Sequence, residues 1–193
     1  IRKVAQTLVD ADSFLELTSG FGKTLLTAFA RIEGKAVGLI ASDCKSLGGA
    51  VDANGAMKVS RFFDICNVFK VPIVSLVDTP GFMVGPESEK QGAVNHMTDL
   101  FIAGAKLEVP LVCIFLRKGY GLGAMAMAGG SFKIPLYTAS WPTGEFGAMG
   151  IEGAVKLGFK KELESVEDGF PRDNLFADLV DKMYDRGKAT EAG

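Results

Sequence analysis

The stretch from Val109 to Ser131, VPLVCIFLRKGYGLGAMAMAGGS, decides the fold class of this chain. Val109–Leu116 is a continuous apolar run of strand length, which indicates a strand buried on both faces of a parallel sheet. The Gly-rich turn Gly119–Gly123 follows, and the small residues Ala124–Ala128 predict a short helix that ends at Gly129-Gly130. A strand that passes through a glycine turn into a helix is typical of α/β folds, in which ligand sites lie beyond the carboxyl ends of strands.

The segments on either side extend this pattern to a mostly parallel sheet with flanking helices. Val71–Val77 and Leu136–Trp141 predict two further strands of parallel type. Upstream, the apolar runs Thr24–Ile32 and Ala36–Ala41 predict a hairpin with the three-residue loop Glu33-Gly34-Lys35. Residues Ile1–Asp10 form a short lead-in that is either helical or irregular, and the predicted helices are Met57–Phe69, Glu87–Leu107, Gly150–Gly158 and Arg172–Arg186. Strands alternating with helices place the chain in the α/β class.

Composition excludes several classes of function. The 193 residues fit one domain, and 21 Lys and Arg against 23 Asp and Glu give a formal net charge of −2, which argues against a nucleic-acid partner. No apolar run approaches the roughly 20 residues that span a bilayer, so no membrane role is expected. The 24 glycines and a mean hydropathy of +0.23 indicate close backbone approaches and an apolar surface buried against another domain or subunit. The chain begins at Ile1 rather than Met, which suggests a fragment or a processed chain.

The scarcity of histidine and cysteine removes most nucleophilic and metal chemistry. His96 is the single histidine, it lies within a predicted helix, and no G-x-S-x-G turn accompanies it, so a serine-hydrolase triad is disfavoured. No spacing suggests a metal site, and none is expected. The three cysteines Cys44, Cys66 and Cys113 lie among apolar neighbours, which indicates buried free thiols and a reducing compartment.

Paired carboxylates are the next candidates for acid–base chemistry. Glu87 and Glu89 fall in the first turn of a predicted helix, where acidic side chains favour the helix dipole, so their role is structural. Glu145 and Glu152 flank the segment Gly147–Gly150 and could act on an enoyl thioester. The sequence alone does not place these two carboxylates together.

Two loops at strand ends could form a binding cleft. The peptide N–H groups at the start of the helix after Gly119–Gly123 lack intrahelical partners and could hold an anionic oxygen, as in an oxyanion hole. A tight turn that feeds a closely packed helix explains the same glycines equally well. The turn Asp78-Thr79-Pro80-Gly81-Phe82 follows the preceding strand, and its position on the same rim favours a cleft.

Seven motifs, in order along nearly the whole chain, resemble the carboxyl-terminal half of the β subunits of biotin-dependent acyl-CoA carboxylases. That family includes propionyl-, acetyl- and methylcrotonyl-CoA carboxylases, and biotin-dependent decarboxylase subunits share the pattern. The motifs are DSFLEL (Asp12–Leu17), ARIEGKAVGLIA (Ala30–Ala41), LGGAVD (Leu47–Asp52), K-x-x-R-F (Lys58–Phe62), VPIVSLVDTPGF (Val71–Phe82), RKGYGLGAMAMAGGS (Arg117–Ser131) and WPTGEFGAMGIEGAV (Trp141–Val155).

The resemblance implies a crotonase/ClpP-like ββα superhelix, with residues 1–193 as a single carboxyltransferase C-terminal domain. The N-terminal half of the catalytic unit would be absent, so the fragment alone is expected to be inactive. The implied cofactor is biotin on a separate carrier protein or domain. The implied partners are the N-terminal half, the opposite subunit of a homo-oligomer, the biotin carboxyl carrier, the biotin carboxylase component and an acyl-CoA. The implied compartment is the cytoplasm, or the mitochondrial matrix in a eukaryote.

The resemblance also assigns site residues in this numbering. The peptide N–H groups of Leu122 and Gly123 would be catalytic, gripping the biotin ureido oxygen. The residues implied to bind the cofactor are Gly81, Phe82, Tyr120, Gly121, Leu122, Gly123 and Met125. Met125 stands where many propionyl-type members have Asp, a position linked in the family to acyl-chain choice, which hints at a more apolar pocket and a branched or longer acyl group.

Three alternatives to the carboxylase interpretation stay open. The same site could serve a biotin-dependent acyl-CoA decarboxylase subunit. An enoyl-CoA hydratase-like enzyme would need Glu145 and Glu152 to face one cleft. A carrier-docking or assembly module without turnover is the third possibility.

Overall fold

A computed structural model describes residues 1–187 of the chain, which form a sheet with helices between and after its strands. The strands are β1 (Leu15–Leu17), β2 (Leu25–Ile32), β3 (Lys35–Ser42), β4 (Ile73–Thr79), β5 (Leu111–Tyr120), β6 (Tyr137–Ser140) and β7 (Glu145–Gly147). The helices are α1 (Arg2–Leu8), α2 (Ala53–Val68), α3 (Pro86–Lys90), α4 (Ala93–Ala105), α5 (Gly121–Met127), α6 (Ile151–Gly158), α7 (Lys160–Glu164) and α8 (Phe170–Gly187).

The sheet is mixed, with strand order β1-β2-β3-β4-β5-β6 and with β7 paired to the far end of β5. Strands β1, β2 and β3 pair antiparallel, whereas β3, β4, β5 and β6 pair parallel, and β7 is parallel to β5. The predicted α/β class with a mostly parallel sheet is therefore confirmed. The carboxyl ends of β4 and β5 meet at one edge, which is where the predicted ligand loops follow.

The hairpin between β2 and β3 is confirmed, but its predicted three-residue loop is wrong. Ile32 pairs with Lys35, so the loop consists of Glu33 and Gly34 alone. Both have positive φ, 50° and 77°, as a two-residue type I′ turn requires. The carboxylate of Asp10 accepts hydrogen bonds from both peptide N–H groups, at 2.9 and 2.7 Å, and so stabilises the turn.

The predicted helix Glu87–Leu107 is wrong as a single element. It divides into α3 and α4, because Gly92 adopts a left-handed conformation with φ of 69° and interrupts the helix. Val94, predicted on the apolar face, is 65% exposed, whereas Leu100 is fully buried. The short elements β1, β7 and α7 were not predicted, since runs of three to five residues carry little periodicity.

Apolar side chains pack on both faces of the sheet, as the continuous apolar runs predict. On one face, α2 and α4 cover the sheet with buried side chains that include Phe63 and Leu100. On the other, Ala5 of α1 packs against a smaller cluster that includes Leu39 and Leu76. Within residues 1–187, no helix combines the length and the apolar character needed to cross a membrane.

Burial raises the pKa of the Cys66 thiol to about 12 and that of Cys113 also to about 12. Above the ordinary thiol pKa of 9.0 an unfolded chain releases these protons, while the folded chain keeps them. We therefore expect the free energy of unfolding to fall as pH rises from 9 toward 12, by up to about 1.4 kcal/mol per pH unit for each thiol.

Urea unfolding at about pH 8 and about pH 10.5 measures this slope. The Cys66→Ala variant is less stable at both pH values, but its stability should fall less steeply between them. An identical slope in variant and wild type would contradict the assignment to this thiol.

Candidate active site

Two loops meet at Gly123, in the first turn of α5. A Cβ added to Gly123 would lie 2.6 Å from the carbonyl carbon of Gly81 and 2.9 Å from the nitrogen of Phe82. The peptide between Gly81 and Phe82, which follows β4, therefore lies directly against the helix that follows β5. The structure brings together the two loops that the sequence places at successive strand ends.

The turn at Gly81 is held rigidly by its neighbours. The hydroxyl of Thr79 and the backbone of Gly81 are joined by contacts of 3.1 and 3.2 Å. The Val51 N–H donates to the Gly81 carbonyl at 2.9 Å, and the Met83 N–H donates to the Val51 carbonyl at 2.8 Å. The ring of Phe82 packs against Phe101 at 6.1 Å between centroids. The wall facing Gly123 is thus fixed by backbone hydrogen bonds.

Helix α5 begins at Gly121, three residues earlier than the predicted start at Ala124. Strand β5 runs to Tyr120, so the helix follows the strand directly. Gly121 has φ of +58°, and a Cβ there would come within 2.8 Å of the Ala148 carbonyl oxygen. Only glycine accommodates both the left-handed conformation and the close approach. This geometry turns the chain sharply from strand into helix and places Leu122 and Gly123 in the first helical turn.

The peptide N–H groups of Leu122 and Gly123 are free donors. The first N–H groups of an α-helix have no intrahelical acceptor. Within the part of the chain that the structure describes, no backbone or side-chain hydrogen bond satisfies these two groups. The helix dipole adds partial positive charge at this end, so the pair is suited to an oxygen that carries negative charge.

A mainly apolar cleft of about 480 Å³ opens at the start of α5, where Leu122 lines it while Gly123 is buried. Its lining residues are Gly119, Gly121, Leu122, Met125, Phe132, Phe146, Gly147 and Ala148. The side chain of Leu122 is 61% exposed, and Phe146 stacks edge-on against Phe115 at 4.9 Å. The cleft suits a ligand with an apolar body and one polar group directed at the start of α5.

Helix α5 is also held at its far end. A Cβ on Gly104 of α4 would collide with the carbonyl of Gly129, just after α5, and would lie 2.6 Å from the Gly129 carbonyl carbon. The Gly130 N–H donates to the Met125 carbonyl at 2.8 Å, which closes the helix. Backbone-to-backbone packing therefore fixes α5 at Gly123 and at Gly129.

The ends of β4 and β5 are joined by an ion pair that the sequence analysis did not find. Arg117 lies 3.2 Å from the carboxylate of Asp78, which also accepts the Lys118 N–H at 3.1 Å. The Asp78 carboxylate raises the pKa of Arg117, which stays charged. Both residues lie in motifs already quoted, but only the parallel register of β4 and β5 brings them together.

Tyr120 is buried, and its hydroxyl donates to the Glu145 carboxylate at 2.7 Å. Burial and this hydrogen bond raise the pKa of Tyr120 well above its usual value. Tyr120, Glu145, Lys118 and Glu152 line a second cavity of about 390 Å³, which shares no lining residue with the cleft beside Leu122. The structure thus brings Glu145 and Glu152 to one cavity, which the sequence could not predict.

The remaining candidates lie elsewhere. His96 is on α4, its side chain is 28% exposed, and it lines a groove with Arg61 and Asp64 of α2. Glu87 and Glu89 lie in the first turn of α3, as predicted. Over residues 1–187, no group of three or more His, Cys, Asp or Glu side chains forms a possible metal site.

Comparison with known families connects this geometry to an enzyme class. The family described as "Carboxyl transferase domain" matches residues 1–189, nearly the whole chain. The chain belongs to the carboxyl transferase domain family. Its sheet and helices are those of the crotonase-type carboxyltransferases, so the fold that the resemblance implied is confirmed.

Individual members of the carboxyl transferase domain family are similar to most of the chain. The methylmalonyl-CoA carboxyltransferase 12S subunit of Propionibacterium freudenreichii subsp. shermanii is 35% identical over 168 residues, 87% of this chain and 32% of that protein. The methylmalonyl-CoA decarboxylase subunit alpha of Propionigenium modestum is 33% identical over 165 residues, 86% of this chain and 32% of that protein. The chain spans about a third of the length of these relatives.

A solved structure of a single-chain, multi-domain long-chain acyl-CoA carboxylase matches all of the chain. It superposes with a TM-score of 0.90 at 49% sequence identity, and the matched region is 19% of that protein. The architecture described above therefore recurs within a much larger enzyme.

Proposed function

We propose that this chain is the biotin-side domain of an acyl-CoA carboxyltransferase, which moves a carboxyl group between carboxybiotin and the α-carbon of an acyl-CoA. The observation that carries the proposal is the pair of free N–H groups on Leu122 and Gly123 in the first turn of α5, where Leu122 lines an apolar cleft. Donors fixed in this way stabilise charge that develops on an oxygen, and removing one typically lowers kcat by about 10²–10³-fold.

The residues of the cleft fit a biotin ring. The bicyclic ring of biotin is apolar except for its ureido group, and the cleft has apolar walls at Leu122, Met125 and Phe146 beside the helical turn that carries the two free N–H groups. When bound, carboxybiotin supplies the carboxyl group, and its ureido oxygen gains negative charge as that group leaves. The N–H groups of Leu122 and Gly123 would donate to this oxygen, while Gly81 and Phe82 hold Gly123 in place.

The positions of Glu145 and Glu152 favour carboxyl transfer over hydration. Glu145 and Glu152 line the second cavity rather than the cleft beside Leu122, and Glu145 already accepts the Tyr120 hydroxyl. A hydratase needs carboxylates that face its substrate. The decarboxylase alternative keeps the same N–H pair and draws support from the 33% identity to a decarboxylase subunit.

An exposed apolar surface supports the proposed partners, which are the N-terminal half of the enzyme and an opposite subunit. Large apolar side chains are 43–76% exposed around β6, namely Phe132, Ile134, Leu136 and Trp141. Exposed apolar side chains grouped in this way are typical of surfaces buried by a partner. These partners would complete the active site, and a carrier would deliver biotin to it. Residues 1–193, which we propose to be a single domain, would therefore be inactive alone.

The proposed substrate class is a long-chain acyl-CoA. Met125 lines the cleft proposed for biotin, and an acyl group that exchanges a carboxyl group with the biotin ring must approach that ring, so it would also meet this side chain. The chain is 49% identical to a long-chain acyl-CoA carboxylase and 35% identical to the methylmalonyl-CoA carboxyltransferase 12S subunit. An apolar side chain favours an apolar acyl tail, whereas a carboxylate there would be costly to desolvate beside one.

Carboxylation of a panel of acyl-CoAs by the full-length enzyme tests both the proposed carboxyl transfer and the proposed preference for long-chain acyl-CoAs. We expect transfer of ¹⁴C label from bicarbonate to long-chain acyl-CoAs, and we expect Met125→Asp to lower kcat/KM for them by about tenfold relative to propionyl-CoA. Met125→Leu, which keeps the apolar character, is the matched control. Absence of label transfer to every acyl-CoA would overturn the function, and an unchanged preference in Met125→Asp would overturn the role of this side chain.

A further inference from the structure

Tyr120 occupies the position immediately before the first turn of α5, and three contacts join it and Gly121 to β7. Tyr120 pairs with Gly147 in the parallel ladder between β5 and β7. Its ring lies against Gly147, since a Cβ there would be 3.3 Å from Tyr120 Cδ1 and 3.4 Å from Cε1. Gly121 approaches the carbonyl of Ala148, the residue after β7.

The hydroxyl of Tyr120 adds a directional contact to this packing. It donates to Glu145 Oε2 at 2.7 Å, and Glu145 pairs with Lys118 at the start of β7. The ring therefore spans β7 from Gly147 to Glu145, and the hydrogen bond fixes its position along the strand. A carboxylate acceptor makes this bond stronger than one between neutral groups.

The pair does not itself face the cleft beside Leu122. Side chains alternate along a strand, and Phe146 of β7 lines that cleft while Glu145 lines the second cavity with Tyr120 and Lys118. Contact with the reacting atoms is therefore not the role that this geometry favours. Tyr120 directly precedes Gly121, Leu122 and Gly123, so its position bears on the peptide units of these residues.

We propose that the hydrogen bond between Tyr120 and Glu145 positions the first turn of α5 and so directs the N–H groups of Leu122 and Gly123 into the cleft. The two residues are positioning residues, and the inference rests on the proposed function for its effect on catalysis. Because a displacement of about 1 Å at a reacting centre can lower a rate about 10²-fold, a modest tilt of this turn has a measurable consequence.

Steady-state carboxyl transfer by the full-length enzyme tests the proposal with four variants. We expect Tyr120→Phe and Glu145→Leu each to lower kcat by about 10- to 100-fold, with KM for the acyl-CoA unchanged. The double variant should lose no more than either single one, because both remove the same bond. Glu145→Gln keeps an oxygen acceptor and should retain kcat within about threefold. Tyr137→Phe, which removes an exposed hydroxyl on β6, is the matched control.

Three kinetic outcomes would overturn the proposal. Full kcat in Tyr120→Phe would show that the bond does not direct the N–H groups. Loss of activity in Glu145→Gln equal to that in Glu145→Leu would instead identify Glu145 as an acid–base group. Additive losses in the double variant would show that the two side chains act separately.

Hydrogen–deuterium exchange of the same full-length variants separates this inference from the proposed function. We expect the peptide that contains α5 to exchange about tenfold faster in Tyr120→Phe and Glu145→Leu, and at the wild-type rate in Glu145→Gln and Tyr137→Phe. If the wild-type enzyme transfers no carboxyl group, the proposed function fails, and the exchange rates alone test whether the hydrogen bond positions α5. Unchanged exchange in all variants would overturn the positioning role of Tyr120 and Glu145.

Discussion

Replacing Gly123 with alanine should lower kcat for carboxyl transfer by about 10²–10³-fold, the loss typical of one removed oxyanion donor. The new Cβ would lie 2.6 Å from the Gly81 carbonyl carbon and 2.9 Å from the Phe82 nitrogen, and both are backbone atoms that other hydrogen bonds hold in place. The first turn of α5 must therefore move away from its wall. The N–H groups of Leu122 and Gly123 then no longer point at one oxygen.

Gly153→Ala provides the matched control for this prediction. Gly153 lies in α6, and a Cβ there meets only the sulfur of Met149 at 3.8 Å, so the same chemical change has room and improves helix propensity. Label transfer from bicarbonate to acyl-CoA, with circular dichroism to confirm folding, measures both variants. Wild-type kcat in Gly123→Ala would contradict the assignment of the oxyanion donors.

Replacing Lys58 with methionine should lower the free energy of unfolding by about 2–4 kcal/mol, because one buried and one partly buried carbonyl group lose a hydrogen-bond donor. Lys58 lies on α2 with 6% of its surface exposed, and its ammonium donates to the carbonyls of Phe21 and Leu25 at 2.9 Å each. Burial lowers the pKa of Lys58, and the two carbonyls offset part of the cost of burying its charge. Methionine retains the length and apolar stem of the side chain but donates no hydrogen bond.

Chemical denaturation of Lys58→Met beside Lys161→Met measures this effect. Lys161 is exposed on α7, so its replacement should change the stability by less than about 0.5 kcal/mol. Equal stability of the two variants would show that the carbonyls of Phe21 and Leu25 find other donors. The result also tests whether the Lys58 side chain stabilises the packing of α2 against the loop that contains Phe21, before β2.

The sequence allowed the sheet and the two loops to be predicted because each depends on local pattern. Continuous apolar runs identified β4 and β5, and glycine with proline identified the turns after them. The break at Gly92 was missed because a single glycine is tolerated within a helical pattern, and only its left-handed φ ends the helix. Local pattern thus fixed the order of elements but not every boundary.

The contacts within the site could not be predicted, because they join residues that are distant in the chain. Tyr120 and Glu145 are 25 residues apart, and Arg117 and Asp78 are 39 apart. Their pairing depends on the register of β7 and β4 against β5, which no periodicity encodes. The resemblance to carboxyltransferases implies that Tyr120 binds the cofactor, and this stays a prediction; the structure adds the hydrogen bond from its hydroxyl to Glu145 and its place in the second cavity.

The fixation of α5 at Gly123 and Gly129 restricts how this part of the chain can change during evolution. An inserted or deleted residue between these glycines would rotate the helix by about 100° and break the close approach to Gly81 or to Gly104. The exposed segment from Met83 to Gly92 carries no such double constraint. Relatives that diverge in length should therefore do so in that segment, while the spacing of the two glycines stays the same.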